Sequence, residues 1–116
     1  MISDSERYEL RRIFFRYEED ATRGKFRPVV VALIDRQSSR ALVLKVTGHG
    51  PRKGYPGEIP LLDWREAGLE KPSTVRCSKI AVVPMDVIRE SGLYGVLTLR
   101  DARRVRAALT DLGYLS

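Results

Sequence analysis

The sequence has few of the residues that build metal centres and covalent crosslinks. It contains one cysteine, Cys77, and one histidine, His49. A single cysteine excludes a disulfide within the chain, and one cysteine with one histidine is too few ligands for a zinc site. The acidic residues are scattered, so we expect no metal and no cofactor. A lone cysteine favours a reducing cytoplasm, with Cys77 as a small buried hydrophobic residue.

Long apolar runs are also missing. No stretch approaches the roughly 20 residues that a membrane-spanning helix needs, and the opening MISDSERYEL is acidic and polar, unlike a signal peptide. We therefore expect no membrane partner. A chain of 116 residues with 43% hydrophobic and 31% charged residues is predicted to form a single domain, residues 1–116.

Positive charge is what the sequence has in excess. Its 21 basic residues exceed its 15 acidic ones, which gives a net charge of +6, and 16 of the basic residues are arginine. Arginine presents a planar fork of donors that suits phosphate groups. Nucleic acid is therefore the first partner to consider, although a genome-wide bias towards arginine would produce the same composition.

The hydrophobic pattern predicts a mostly β structure. A short helix is predicted to begin within residues 1–12, where Ser3 and Glu6 have capping-box spacing. Strands are predicted over IFFRYEED, RPVVVALID, ALVLKVT, EIPLLDW, STVRCSKIAVV and LYGVLT, with a short helix or turn at MDVIRESG. The expected fold is α+β, a small antiparallel β-barrel or half-barrel with a C-terminal helix.

The C-terminal helix has the clearest pattern. Apolar residues recur at helical spacing, and a glycine follows as a stop: Leu99, Ala102, Val105, Ala108, Leu109, Leu112 and then Gly113. Thr98 and Asp101 predict a capping box at its start. The opposite face carries Arg100, Arg103, Arg104 and Arg106. That face is predicted to be solvent-exposed, with steering of an anionic substrate as the alternative.

A long glycine-rich loop follows the strand ALVLKVT. Residues 48–57 contain four glycines and two prolines, and long loops in compact domains are often functional. If residues 29–34 pair with 41–46, Arg27 and Thr47 lie at the same end of a hairpin, and His49 begins the adjoining loop. A guanidinium, a hydroxyl and an imidazole would then share one rim.

Such a rim suits cleavage of RNA without a metal, because RNA supplies its own nucleophile, the 2′-hydroxyl. The protein then provides a base, an acid and cations for the developing phosphorane charge. Each residue also has an ordinary interpretation: Arg27 as a strand-end charge, Thr47 as a turn cap, and His49 as a bystander in a flexible loop. A nucleophilic pair of His49 and Cys77 is disfavoured, since nothing predicts a lowered thiol pKa.

Several of these segments carry a family resemblance. KFRPVVV at 25–31, LKVTGHGPRKGY at 44–55, LLDWREAGLEKPSTVRCSKI at 61–80 and the ending YGVLTLRDARRVRAAL resemble the PemK/MazF toxins of bacterial type II toxin–antitoxin systems. The resemblance covers about residues 10–110. It implies an SH3-like barrel of the MazF/CcdB type, a homodimer with a cleft at the interface, and a cognate antitoxin. The implied activity is metal-independent endoribonuclease cleavage of single-stranded RNA, leaving a 2′,3′-cyclic phosphate and a 5′-hydroxyl.

The resemblance also implies site residues. The family's arginine of the RP motif matches Arg27, its strand-end threonine or serine matches Thr47, and its arginine of the VR strand matches Arg76. Some members carry an acid where this chain has Ser78, which weakens an expected pairing between Arg76 and a carboxylate. The first loop, YEEDATRGKF, lacks the family's other glycines, so no RNA sequence preference is carried over.

Residue chemistry assigns roles to these candidates. We expect Arg27 to stabilise the phosphorane and take part in proton transfer, Thr47 to form hydrogen bonds and Arg76 to clamp phosphate. His49 is a candidate base, and whether His49 or Arg76 transfers the proton stays open at this point. The residues predicted to bind substrate around them are Lys25, Arg52, Lys53, Tyr55, Ser73, Thr74 and Ser78.

Two other functions remain open at this point. A toxin of the same fold could poison DNA gyrase by binding alone, as CcdB proteins do through apolar or aromatic C-terminal residues. The tail here contains Tyr114 and Leu115, which we expect to pack behind the last helix. A catalytically inactive, basic nucleic-acid-binding barrel is the third possibility.

Overall fold

Antiparallel strands make up most of the computed structural model, which describes residues 2–4 and 7–115, with side chains from residue 7 onward. The elements of this part are β1 Ile2–Asp4, β2 Glu9–Arg16, β3 Gly24–Asp35, β4 Arg40–Thr47, β5 Glu58–Pro60, β6 Thr74–Pro84, α1 Met85–Glu90, β7 Gly92–Val96 and α2 Leu99–Asp111. The sheet order is β5-β6-β4-β3-β2-β7, and β1 pairs with the far end of β3. The predicted α+β fold is confirmed, as an open, barrel-like sheet with a C-terminal helix.

The β3–β4 hairpin forms as predicted. Its register runs from Val29 opposite Lys45 to Asp35 opposite Arg40, with a bulge near Val31. The turn between the strands is supported by Asp35, whose carboxylate accepts a hydrogen bond from the Gln37 N–H. This register brings the beginning of β3 and the end of β4 to the same edge of the sheet.

The central part of β3, residues 29–33, is continuously apolar and buried because its two faces pack against two different cores. Val30 and Ala32 belong to the larger core, which α2 covers with Val105 and Leu109. The second core lies on the other face and contains Ile13, Val29, Val31, Ala41, Val43 and Ile88. A strand buried on both faces reads as a continuous hydrophobic run, and each such buried side chain contributes about 1.5–3 kcal/mol.

The predicted helix at the N-terminus is wrong. Residues Ile2–Asp4 form β1, which pairs with the end of β3 that β2 leaves uncovered. Backbone pairing to this exposed strand edge outweighs the weak local helix signal. Glu6, half of the predicted capping box, lies outside the described residues. Strand β2 also starts earlier than predicted, at Glu9.

The strand predicted over EIPLLDW is much shorter than expected. Strand β5 contains only Glu58–Pro60, because the chain then bends towards α2. The N–H groups of Leu62 and Asp63 donate to the carboxylate of Asp101 instead of to a neighbouring strand. These bonds use the backbone donors that a longer strand would have paired.

Helix α2 is confirmed, but its capping box is not. Thr98 is the N-cap residue, yet its hydroxyl donates to Asp63 at 2.6 Å rather than to the helix backbone. Asp101 is 0% exposed, while Leu99, which was predicted to face the core, is 66% exposed. The buried face of α2 therefore includes the Asp101 carboxylate, which accepts hydrogen bonds from the segment after β5, and it does not include Leu99.

The end of α2 follows the sequence pattern. Gly113 has φ +88°, the left-handed conformation that glycine adopts after a helix. Leu115 packs against the larger core as expected, whereas Tyr114 stays partly exposed. Neither α1 nor α2 is long and apolar enough to cross a membrane.

Candidate functional site

A cleft of about 490 Å³ opens at the edge where β3 begins and β4 ends. Its walls come from these strands, the loop after β4, and the start of β6. The lining residues are Lys25, Phe26, Arg27, Pro28, Val46, Thr47, Gly48, His49, Arg52, Lys71, Ser73 and Arg76. Among the described residues, the lining includes lysine, arginine and histidine side chains but no carboxylate, so the cleft suits an anionic ligand.

The structure brings most of the predicted site residues to this cleft. The four predicted catalytic residues line it, together with Lys25, Arg52 and Ser73. The other four predicted binding residues do not line it. Lys53 is exposed in the loop, Thr74 is buried, and Ser78 lies further along β6. Tyr55 is exposed, with its ring centroid 4.3 Å from the guanidinium of Arg52, a residue of the lining.

Arg27 is held rigidly by the sheet. It lies on β3 opposite Ile13 of β2, and its side chain is only partly exposed. Among the described residues it has no hydrogen bond or ion pair with a side chain or carbonyl. A partly buried guanidinium without a counter-ion keeps all five donors available for an anion.

Thr47 stands at the last position of β4 in the same cleft. Its hydroxyl oxygen accepts the main-chain N–H of His49 at 3.4 Å, so the hydroxyl proton stays available for donation to a ligand. This contact lies where the chain leaves β4, and His49 is among the residues that line the cleft. The imidazole is exposed and has no partner among the described residues, so both of its ring nitrogens are open to a ligand.

Lys71 lines the cleft although sequence analysis did not select it. It approaches Gly48 so closely that a Cβ at position 48 would lie 2.8 Å from its Cε and Nζ atoms. Glycine at position 48 therefore allows the lysine to lie across the start of the loop. The proximity of residues 48 and 71 depends on the pairing of β4 with β6, which a single sequence does not reveal.

Glu58 is the other residue that the sequence analysis missed. It is 8% exposed, and one carboxylate oxygen accepts the Arg52 N–H at 2.9 Å while the other accepts Arg76 Nε–H at 2.8 Å. The Arg52 guanidinium is 3.5 Å away. Burial raises the pKa of Glu58, but these hydrogen bonds outweigh burial and hold that pKa below its usual value.

The Glu58–Arg76 contact corrects an expectation. The serine at position 78 suggested that Arg76 would have little pairing with a carboxylate, yet Glu58 supplies one from the neighbouring strand, directly opposite Arg76 in the ladder. Only Nε of Arg76 is used. Its two terminal nitrogens have no hydrogen-bond partner in the described part of the chain, so they can still bind phosphate.

Cys77 has no place in this site. Its side chain is 0% exposed, as predicted, and burial raises the pKa of its thiol to about 12. A thiol in this environment stays protonated and is a poor nucleophile. The disfavoured pairing of His49 with Cys77 is therefore rejected, because the thiol is inaccessible to a ligand and stays protonated.

Comparison with known proteins identifies the class to which this fold belongs. The crystal structure of MazE–MazF (form II) from Deinococcus radiodurans matches with a TM-score of 0.68 at 19% identity, covering 98% of this chain and 99% of the matched chain. The Mycobacterium tuberculosis toxin MazF-mt6 matches with a TM-score of 0.57 at 20% identity, covering 91% and 98%. The chain therefore has a MazF-like toxin fold. No protein-family model and no curated protein sequence matches it.

Proposed function

We propose that this chain is a metal-independent endoribonuclease toxin that cleaves single-stranded RNA and is neutralised by a cognate antitoxin. The observation that carries the proposal is the Arg27 guanidinium, which has no counter-ion among the described residues and lines a cationic cleft together with Thr47, His49 and Arg76. Such a cleft is organised for a phosphodiester. The MazF-like fold and the sequence resemblance support the same activity.

The proposed reaction needs no atoms beyond RNA and water. The 2′-oxygen forms a bond to phosphorus, the bond from phosphorus to the 5′-oxygen breaks, and a 2′,3′-cyclic phosphate and a 5′-hydroxyl result. His49 accepts the proton of the 2′-hydroxyl, and the leaving 5′-oxygen takes a proton from solvent in the open cleft. Arg27 and the terminal nitrogens of Arg76 stabilise the equatorial phosphorane oxygens, to which Thr47 donates a hydrogen bond.

The proposal includes partners and a location. We propose a cytoplasmic homodimer whose cleft binds RNA or, alternatively, an acidic segment of the antitoxin. Two structural neighbours are MazE–MazF crystal structures, which supports an antitoxin partner. A cleft lined by lysine and arginine would attract an acidic peptide for the same electrostatic reason that it would attract RNA.

The test is incubation of the purified protein in EDTA with three matched single-stranded oligonucleotides: RNA, DNA, and RNA with 2′-O-methyl groups. We expect cleavage of the unmodified RNA alone, with cyclic phosphate ends, because the other two lack the nucleophile. Cleavage of DNA or of the methylated RNA would contradict the proposed mechanism. Absence of cleavage of all three would contradict the proposed activity.

Growth arrest separates this activity from the gyrase-binding alternative. Expression of the wild type is expected to arrest bacterial growth, and expression of Arg27→Ala is expected to leave growth unaffected while the variant remains folded. If the folded variant still arrests growth, the toxicity does not come from RNA cleavage. A binding-only toxin of this fold would then be the better explanation.

A further inference from the structure

Two phenylalanine side chains are exposed on the sheet beside the cleft. Phe14 on β2 is 44% exposed and Phe26 on β3 is 51% exposed. They are directly opposite one another in the ladder, and their ring centroids are 5.2 Å apart with the planes inclined at 58°. Together with Arg12 and Arg16, which flank them on β2, they form what we call the aromatic platform.

The platform alternates rings with guanidinium groups. The Arg12 guanidinium lies 3.8 Å from the centroid of the Phe26 ring, and that of Arg16 lies 6.0 Å from the Phe14 ring. Neither arginine pairs with a carboxylate in the described structure: Arg16 donates only to the Ala21 carbonyl. The platform therefore keeps its positive charge.

Gly24 gives the Phe14 ring its place. A Cβ at position 24 would lie 2.8 Å from the Cζ atom of Phe14 and would collide with the Phe15 carbonyl. Glycine leaves this space empty, so the tip of the Phe14 ring can lie close to the backbone at position 24. Phe14 thus contacts Gly24, Phe26 and Arg16 although it is 44% exposed, which suits a preformed contact surface.

Phe26 connects the platform to the cleft. It belongs to the platform through its contacts with Phe14 and Arg12, and it lines the cleft immediately before Arg27 in the chain. Phe26 and Arg27 are consecutive residues of β3, so their side chains point to opposite faces of the sheet, and both reach the cleft at its edge. The platform therefore adjoins the cleft through Phe26.

We propose that the aromatic platform stacks nucleobases of the single-stranded RNA whose phosphodiester lies in the cleft, an inference that rests on the proposed function. Aromatic rings bind unpaired bases of any identity, and arginine planes stack on bases while neutralising the backbone. A nucleobase fits better than an apolar protein segment, because the platform residues include no aliphatic side chain and their two cations have no carboxylate partner in the described structure.

The experiment measures binding separately from cleavage. A fluorescein-labelled, mixed-sequence RNA 12-mer with 2′-O-methyl groups is titrated with the wild type and with the double variant Phe14→Leu/Phe26→Leu, and fluorescence anisotropy is recorded. Leucine keeps an apolar surface but removes the rings. We expect the Kd of the double variant to rise about tenfold or more. Tyr94→Leu, which removes an exposed ring of β7 that is not part of the cleft lining, should leave the Kd within about twofold.

A second probe asks whether the bases cause the difference. An oligonucleotide of the same length made of abasic units keeps the phosphates but has nothing to stack, so the wild type and the double variant should bind it equally. Equal affinity of both proteins for the base-containing RNA would overturn the proposal, as would an equal loss on both probes. A change in self-association by sedimentation with unchanged RNA affinity would assign the surface to a protein contact instead.

These outcomes are distinct from those of the proposed reaction. Wild-type cleavage of unmodified RNA in EDTA tests the activity, and it does not depend on the platform. If cleavage occurs but the double variant binds methylated RNA like the wild type, the platform proposal fails and the activity stands. If the methylated RNA is bound through the platform but unmodified RNA is never cleaved, the reaction fails and the platform stands.

Discussion

Arginine has two different roles in this molecule, and the difference lies in its neighbours. In the cleft, Arg27 has no carboxylate partner in the described structure and lies among other cations. At the start of α2, Arg100 donates two hydrogen bonds to Asp63, and Arg104 donates to Asp101 and to the Pro60 carbonyl. The same side chain is thus left available for an anion at one edge and used to hold a loop at the other.

The helix arginines are part of a network that fixes the segment after β5. Asp101 is fully buried and accepts the N–H groups of Leu62 and Asp63. Hydrogen bonds from Arg100 and Thr98 lower the pKa of Asp63 to about 2. The predicted solvent-exposed arginine face of α2 is therefore partly structural, since two of its four arginines hold carboxylates of this network.

Glu58 and Arg76 combine both roles. The carboxylate of Glu58 uses only the Nε–H of Arg76, so it orients the guanidinium while leaving the terminal donors without a hydrogen-bond partner in the described structure. It also holds the loop through the Arg52 N–H. A buried acid beside a cationic cleft thus positions the cations instead of repelling the ligand.

The largest effect is expected when arginine is replaced by lysine, once in the cleft and once at the start of α2. Arg27→Lys keeps the charge but loses the planar fork, so we expect kcat/KM for RNA cleavage to fall about a hundredfold. Arg100→Lys, the matched control, should cleave at the wild-type rate, because that arginine contacts Asp63 and not the cleft. Equal effects of the two substitutions in a quantitative cleavage assay would show that the distinction is wrong.

Loss of the buried carboxylate of Asp101 should lower the stability of the fold. Asp101→Ala leaves two backbone N–H groups and Arg104 without their acceptor, and we expect the free energy of unfolding to fall by about 3 kcal/mol. Urea denaturation measures this change. Asp111→Ala, an exposed position of the same helix, should shift it by less than about 0.5 kcal/mol, and a similar loss there would refute the assignment.

Glu58→Gln tests whether this acid orients the cleft arginines. The amide retains one acceptor oxygen, so either Arg76 or the Arg52 N–H loses its partner, and we expect kcat/KM to fall about tenfold. Glu70→Gln, at an exposed position, should have no effect. In the Arg76→Ala background the Glu58→Gln effect should shrink if the acid acts through Arg76. Full additivity of the two changes would contradict that route.

The smallest expected effect depends on pH. The pKa of Asp63 is about 2 in the folded chain against a usual value of 3.8, so below about pH 4 the unfolded chain binds this proton more readily. Stability from Asp63 is therefore complete above that pH and is lost as the pH falls towards 2. Thermal unfolding of Asp63→Asn between pH 2 and 5 should show a flatter pH dependence than the wild type. Asp86→Asn, at an exposed residue of α1, should leave the slope unchanged.

Much of the fold was predictable because its signals are local. The apolar run of β3, the turn before β4 and the spacing of α2 each lie within one segment, and the structure confirms these elements. The N-terminal helix prediction failed because β1 forms by pairing with a distant strand edge. The capping box of α2 failed for a similar reason, since Asp63 and the loop backbone compete for its two side chains.

The candidate site was predictable in its centre but not at its margins. Arg27, Thr47 and His49 meet because the hairpin register follows from hydrophobic pattern and turn length. Glu58 and Lys71 were missed because they come close to the other site residues only through the pairing of β6 with β4 and β5. This pairing joins segments that are far apart in the sequence. The Phe14–Phe26 pair was missed because the alternating pattern of one strand does not show which residue of the neighbouring strand lies opposite. The contact between the two rings depends on the register of β2 with β3.

The sequence by itself determined the periodic elements, the excess of arginine and the cationic loop after β4, because these properties depend on neighbouring residues alone. Only the tertiary structure decided which arginines are neutralised. Arg76 and Glu58 are 18 residues apart in the chain, and Arg100 and Asp63 are 37 apart. A charge becomes available or occupied through the carboxylates that folding brings within a few ångströms, and that arrangement follows from strand register and helix packing.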